Sequence, residues 1–226
     1  MALDRDTVVR TALRLIDEAG LESLTLRKLA AELGVQAPAL YWHFRNKREL
    51  LDAVAERLGA EQRTLTGTTP EDGQPWWEWL EQTLLAGRDG LLAHRDSAQI
   101  VAGNRPTADA LPGVEAELST LTAVGVPPVD AMKFLLAAGY YLIGGVLERQ
   151  LLEGREGSEA EAEAFGQMRD AERFPTLAAA VDALSGDLTA GEVPGDLDDT
   201  VFRFGLGLMI DGLRARLART DEEPVA

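Results

Sequence analysis

The stretch QAPALYWHFRNKRELL, residues 36–51, decides how this chain folds. Pro38 sits where the first turn of a helix tolerates a residue without an N–H. Asn46 stands immediately before an apolar-periodic run and is positioned to cap it. Tyr41, Trp42 and His43 lie between the two helix starts, followed by Arg45, Lys47 and Arg48. The stretch predicts a short third helix from Pro38 through about Phe44, then a fourth from Lys47 to about Arg63.

Upstream, Val8, Ala12, Leu15, Ile16 and Ala19 keep the 3.6-residue period and predict a first helix over 6–19. Asp6 is placed to cap its start, and Gly20 takes the position where a helix ends with positive φ. Thr25 then caps a second short helix whose Leu29, Ala30 and Leu33 point inward, and Gly34 ends it. Three short helices in under fifty residues, with a tight turn between the second and third, describe a helix-turn-helix. In that geometry the third helix enters the major groove of DNA and the second crosses the backbone.

Charge placement agrees. The chain of 226 residues has a formal net charge of -16, yet residues 1–50 carry +1 and segment 23–48 carries +4. A polyanion is repelled by most of this surface and accepted at one place. A solvated basic patch is the other reading of the same charges.

Beyond residue 66 the chain keeps helical apolar spacing over 74–95, 96–103, 107–125, 128–153, 172–185 and 197–219, with no strand alternation longer than three or four residues. GTTPEDGQP (67–75), GVPP (125–128) and SGDLTAGEVPGD (185–196) punctuate it. Segment 153–172, rich in Gly, Glu and Ala, reads as a mobile loop with at most a fragment of helix. The fold class is therefore all-α: a helix-turn-helix domain over 1–50, followed by a helical domain over 51–226. Hydrophobic residues make up 46% of the chain, enough for a sizeable core. No uninterrupted apolar run reaches about 18 residues, so no membrane span is expected; 134–147 reads as a buried helix. Cysteine is absent, which removes disulfides and thiolate metal sites and fits the cytoplasm.

LTLRKLAAELGVQAPALYWHFRNKRELLDAV (24–54) resembles the DNA-binding segment of the tetracycline repressor (TetR) family, and HRDSAQIVAGNRPT (94–107) and YLIGGVLERQ (141–150) resemble that family's ligand-binding core. The resemblance covers most of the chain and is weakest over 153–200. It implies a homodimeric repressor, DNA-binding over 1–50 and effector-binding and dimerising over 51–226, that binds a palindromic double-stranded operator and is released by a small-molecule effector. Its DNA contacts carry over to Thr25, Arg27, Gln36, Ala37, Pro38, Ala39, Tyr41, Trp42, His43 and Lys47. Arg27 would read a guanine edge, and Lys47 would hold a phosphate beside the amides of its own helix. Trp42, spaced with Leu40 and Phe44, also fits a place in the core. The family has a glutamine and a threonine where this chain has Ala37 and Ala39; alanine meets a thymine methyl but makes no bidentate bond to adenine, so a different operator sequence is expected.

The effector site implied by the resemblance comprises Arg63, Thr83, Gly87, Val101, Asn104, Arg105, Pro106, Glu117, Met132, Leu135 and Glu148. In the family prototype a histidine at the place of Val101 holds a magnesium–drug chelate. Valine offers no lone pair, so neither a metal nor another cofactor is expected here, and magnesium-tetracycline is not the expected effector. Val101 and Gly87 would enlarge or dry the cavity, and Glu117 and Glu148 could meet a hydroxyl or an amine. Glu148 could equally pair with Arg149 or Arg105.

The two-fold face is expected on 128–152, where Gly139, Gly144 and Gly145 permit close approach, and on 197–219 through Leu197, Val201, Phe204, Leu208, Leu213 and Leu217. Such a dimer presents two reading helices about 34–36 Å apart. An enzyme is not expected: the histidines are His43 and His94 alone, the second reading as a cap for carbonyls, and no P-loop, nucleophile elbow or zinc-protease motif is present. The alternative is a helical small-molecule-binding protein without sequence-specific DNA binding.

Overall fold

A computed structural model describes residues 3–104, 106–153, 159–185 and 195–222. Among them the chain forms eleven α-helices and no strand.

The first helix, α1 (Arg5–Ala19), buries Val8, Val9, Ala12, Leu13 and Ile16, the stripe its period demands. Its cap is Asp4 rather than Asp6. The Asp4 carboxylate accepts from Thr7 N at 2.7 Å, and that hydrogen bond holds the carboxyl below its ordinary value. Asp6 instead pairs with Arg10 (3.2 Å) and Arg57 (2.9 Å). Gly20 ends the helix at φ 83°, and a Cβ there would lie 3.3 Å from the Asp96 carboxylate, so both backbone and space require glycine. After a 3₁₀ turn (Leu21–Ser23), α2 (Leu26–Glu32) starts at Thr25, whose hydroxyl accepts from Lys28 N at 3.1 Å. Gly34, at φ 67°, makes the tight turn into α3.

Helix α3 is shorter than expected: Ala37–Leu40. His43 N and Phe44 N both still donate to Leu40 O at 2.9 Å, so the chain stays coiled as a turn. It must then open, because Asn46 is extended (φ -159°, ψ 173°) in order to cap α4 (Lys47–Thr66). The cap is reciprocal: Asn46 Oδ1 accepts from Glu49 N at 2.9 Å, and Glu49 Oε2 accepts from Arg45 N at 2.8 Å. Helix α4 passes its expected end by three residues and stops at Gly67, φ 71°.

Ile16, Leu29, Leu40, Phe44, Leu50 and Val54 are fully buried, and the same cluster continues through Leu91, Ala98, Ile100 and Val146. The core of the N-terminal helices therefore runs directly into the helices that follow. A boundary at residue 50 falls inside α4, and Met1–Gln150 with Met209–Ala226 form one compact unit. Within it stand α5 (Trp76–Leu92), α6 (Ser97–Val101), α7 (Leu111–Ala123) and α8 (Pro128–Leu152).

Helix α8 is not the buried helix its composition suggested. It buries Ala131, Ala138 and Val146 but exposes Val129, Met132, Leu136, Tyr140, Leu151 and Leu152. A Cβ added at Gly139 or Gly144 would meet open space, so the close approach expected at these glycines does not occur among the described residues of one chain. By length and composition alone α8 could cross a membrane.

The second unit, Leu151–Leu208, contains α9 (Glu159–Met168), α10 (Pro175–Ser185) and the first part of α11 (Gly195–Glu222). Helix α9 replaces part of the expected loop: Glu and Ala favour helix intrinsically even without an apolar stripe. Arg169 then pairs with Asp182 of α10 at 3.3 Å. Helix α11 has two apolar faces where one was expected. Phe202, Leu206, Ile210 and Leu213 are buried, whereas Val201, Phe204 and Leu208 are exposed. The Leu197 side chain lies outside the described residues.

Candidate DNA-binding head and effector site

The short α3 and its turn stand on a rigid floor. Leu40 and Phe44 are buried beneath them, and the Arg5 guanidinium lies 4.6 Å over the Phe44 ring. On the other side Trp42 is 89% exposed and Tyr41 56%. An indole this exposed contributes nothing to the core, which removes the packing reading of Trp42. Arg27, Gln36 and Pro38 are exposed around it, with Ala37, Ala39 and His43 half-buried. Gln36 precedes α3 without forming a side-chain cap, which leaves its amide for an outside partner.

Thr25 and Lys47 have internal tasks. The Thr25 hydroxyl caps α2. The Lys47 ammonium donates to Leu21 O (3.0 Å) and Leu24 O (2.8 Å), closing the 3₁₀ turn against the start of α4. Two of its three donors are thus engaged inside the fold, where it acts as a brace, and one is left over.

The effector residues are brought together only in part. The Arg63 guanidinium, on α4, runs along the backbone of α7: a Cβ at Gly113 would fall 2.9 Å from its Nε, and one at Gly59 3.3 Å from Nη1. Glu117 lies one turn along α7 from Gly113. Burial pushes its carboxyl up, and the Arg63 charge partly offsets the rise. Thr83, on α5, is 8% exposed; its hydroxyl has no partner among the described residues, while its carbonyl accepts from Gln62 Nε2 at 3.0 Å. Asn104 Oδ1 and Thr107 Oγ1 are also buried without a partner among the described residues.

Other expectations for this site need correction. Gly87 opens no room, because Leu142 Cδ1 comes within 3.2 Å of where its Cβ would be. Val101, at the end of α6, packs against the common core. Glu148, Met132 and Pro106 are exposed, Leu135 is half-buried, and Arg105 lies outside the described residues.

A junction that sequence reading missed links the N-terminal helices to α5, α6 and α8. Asp17 accepts from Arg95 N at 3.1 Å, and its other oxygen meets His94 Nδ1 at 2.9 Å. In return the Asp96 carboxylate accepts from Leu21 N at 2.7 Å. Gln150 Nε2 donates to His94 O (2.8 Å) and Ser97 Oγ (3.1 Å). His94 therefore faces a carboxylate, not the carbonyls it was expected to cap. The one visible signal was the run His94-Arg95-Asp96, in which Asp96 takes the left-handed conformation (φ 56°) that aspartate tolerates better than most residues.

Two family models cover these two regions. Residues 8–54 match "Bacterial regulatory proteins, tetR family", and residues 69–217 match "Tetracyclin repressor-like, C-terminal domain". The chain belongs to the tetracycline repressor family.

This TetR-family chain is thus a ligand-responsive DNA-binding regulator. It is similar to the tetracycline repressor protein class A from transposon 1721 of Escherichia coli, 41% identical over 95% of this chain and 92% of that protein. Its structure is similar to that of the Streptomyces coelicolor TetR family protein ActR in complex with actinorhodin (TM-score 0.77, 28% identity, 95% of this chain and 97% of that one). It is also similar to TetR(class A) in complex with 5a,6-anhydrotetracycline and magnesium (TM-score 0.65, 36% identity, 94% and 99%). The residues here do not fit a metal held as magnesium is in the family prototype: Val101 supplies no donor where a histidine is needed.

Proposed function

We propose that this chain is a cytoplasmic, non-catalytic repressor that grips a palindromic operator as a homodimer and lets go when it binds an effector taken without a divalent metal. The exposure of Trp42 beside Arg27 and Gln36, above the buried Leu40 and Phe44, carries the DNA half of this reading. Those side chains are presented, not packed, and they lie in the one basic region of an acidic chain.

The uncovered apolar faces of α8 and α11 support a two-fold partner. Leu136 and Tyr140 on one helix, and Val201, Phe204 and Leu208 on the other, are exposed in the single chain. Apolar area of this kind is normally covered by a second copy. The valine at 101 supports the metal-free effector.

Release works by preference. An effector that binds better to the arrangement in which the two reading heads no longer match successive grooves shifts the population away from DNA. A tenfold loss of affinity requires about 1.4 kcal/mol of differential binding. Helix α4 carries the change, since it begins at the head and bears Arg63 in its last turn. The test is a titration of DNA flanking the chain's own gene, at several salt concentrations, with and without candidate effectors. Salt-sensitive, sequence-specific binding that a metal-free compound abolishes supports the reading; release only by a magnesium chelate contradicts it.

A further inference from the structure

Resting on the effector-site reading above, the geometry points to an acidic effector: an apolar molecule whose carboxylate is taken by the Arg63 guanidinium against Gly113, with the Glu117 carboxyl as its hydrogen-bonding neighbour.

Arg63 is held but not satisfied. Gly59 and Gly113 give the guanidinium room along two backbones, and any side chain at 113 would displace it. None of its N–H groups has an acceptor among the described residues, and no ion pair within 4 Å joins it to Glu117. Five donors in a planar fork, half-buried, are matched best by a carboxylate, which accepts two of them side by side.

The neighbours favour the same charge. A guanidinium stays protonated at any working pH. Glu117, by contrast, is buried enough to resist ionising, and burial and the Arg63 charge are the influences upon it. The pair therefore leans positive. A cationic group would be repelled by Arg63 and offered a carboxyl reluctant to ionise. An anion would meet the fork of Arg63, and a protonated Glu117 would donate to its second oxygen. The Thr83 hydroxyl, buried near Gln62 and without a partner among the described residues, remains for another polar atom of the ligand.

Binding also acts on Glu117. An anion on Arg63 weakens the attraction that offsets burial, so the Glu117 carboxyl is pushed further up and any proton movement on binding is an uptake. A neutral or cationic ligand produces no such shift.

The probes are matched sets on naphthalene, anthracene and anthraquinone frames, each carrying a carboxylate, a carboxamide or an aminomethyl group. Affinity is measured by titration calorimetry in two buffers of different protonation heat, which also counts protons. The expected result is that acids bind about tenfold tighter than their amides and tighter still than the amines. Arg63→Met removes that order, and Arg63→Lys, which keeps the charge without the fork, restores part of it. Any proton uptake is confined to the acids and is lost in Glu117→Gln. Amides or amines that equal the acids, an unchanged order in both Arg63 variants, or a failure of every acid to bind overturns the proposal. The regulator reading is judged separately, by binding to flanking DNA in the same preparations.

Discussion

Asp17 and His94 meet at 2.9 Å across 77 residues of sequence, one at the end of α1 and the other just after α5. Together with the bond from Leu21 N to Asp96 they form a two-way clasp between the reading head and the helices that bear the effector site. Both side chains are partly exposed, so the clasp should add little to stability, and its expected task is to hold the head against those helices.

That division of roles leads to the first expectation. A double-mutant cycle with Asp17→Ala and His94→Ala should give a coupling of about 0.5–1 kcal/mol in unfolding free energy, as for a partly solvated hydrogen bond. The same variants should shift the effector concentration that releases DNA by a larger factor than they change DNA affinity itself. Equal shifts in both would show that the clasp carries no signal.

Trp42 and Phe44 lie two residues apart and should behave oppositely. Trp42→Ala should leave stability within about 0.5 kcal/mol, as for an ordinary surface change, while weakening DNA binding. Phe44→Ala should cost about 3–5 kcal/mol of stability, because the ring is fully buried. Thermal melts alongside DNA titrations separate the two effects. Asn46→Ala belongs with Phe44, at about 1 kcal/mol, through loss of the cap.

Glu117 sets a pH dependence with a definite sign. Its carboxyl is raised by burial, so the folded chain holds that proton more tightly than the unfolded one. Its contribution to stability is complete below the ordinary glutamate range and is lost as pH climbs through the raised value. Glu117→Gln, which imitates the protonated form, should match the wild type in acid and exceed it at neutral pH. Denaturant melts across pH 4 to about 8 would reveal it; a constant difference between the two proteins would show that Glu117 titrates normally.

Helices α8 and α11 should hold two copies together. Tyr140→Glu and Phe204→Glu each place a charge on an apolar face exposed in the single chain. Sedimentation should show monomers where the wild type is a dimer, and DNA affinity should fall with dimerisation. A wild-type chain that sediments as a monomer at micromolar concentration would contradict the expectation.

Much of this was legible from residues 1–66, because caps and stops there are local chemistry: Thr25, Asn46, Gly20 and Gly34 do what their positions demand. The errors have equally physical origins. Asp4 and Asp6 are both able to cap α1, and only the pull of Arg10 and Arg57 on Asp6 decides between them. Lys47 reads as a free cation until the carbonyls of Leu21 and Leu24 are seen beside it. The room at Gly87 is taken by Leu142, 55 residues away in sequence, and the Asp17–His94 clasp spans 77. Periodicity is blind to contacts of that range. It was equally blind to α9, which has helix-forming residues but no apolar stripe.

The most direct measurement is the titration of the intact chain onto labelled duplexes from the DNA flanking its own gene, between roughly 50 and 200 mM salt. Two chains per duplex should bind, with an affinity that falls by about a hundredfold or more over that range, as expected when several phosphates are neutralised. Arg27→Ala should weaken binding by about 1–3 kcal/mol and relax preference at one position of each half-site. Binding indifferent to sequence, or no binding at low salt, would contradict the assignment of α2, α3 and the Tyr41–Trp42 turn as an operator-reading head.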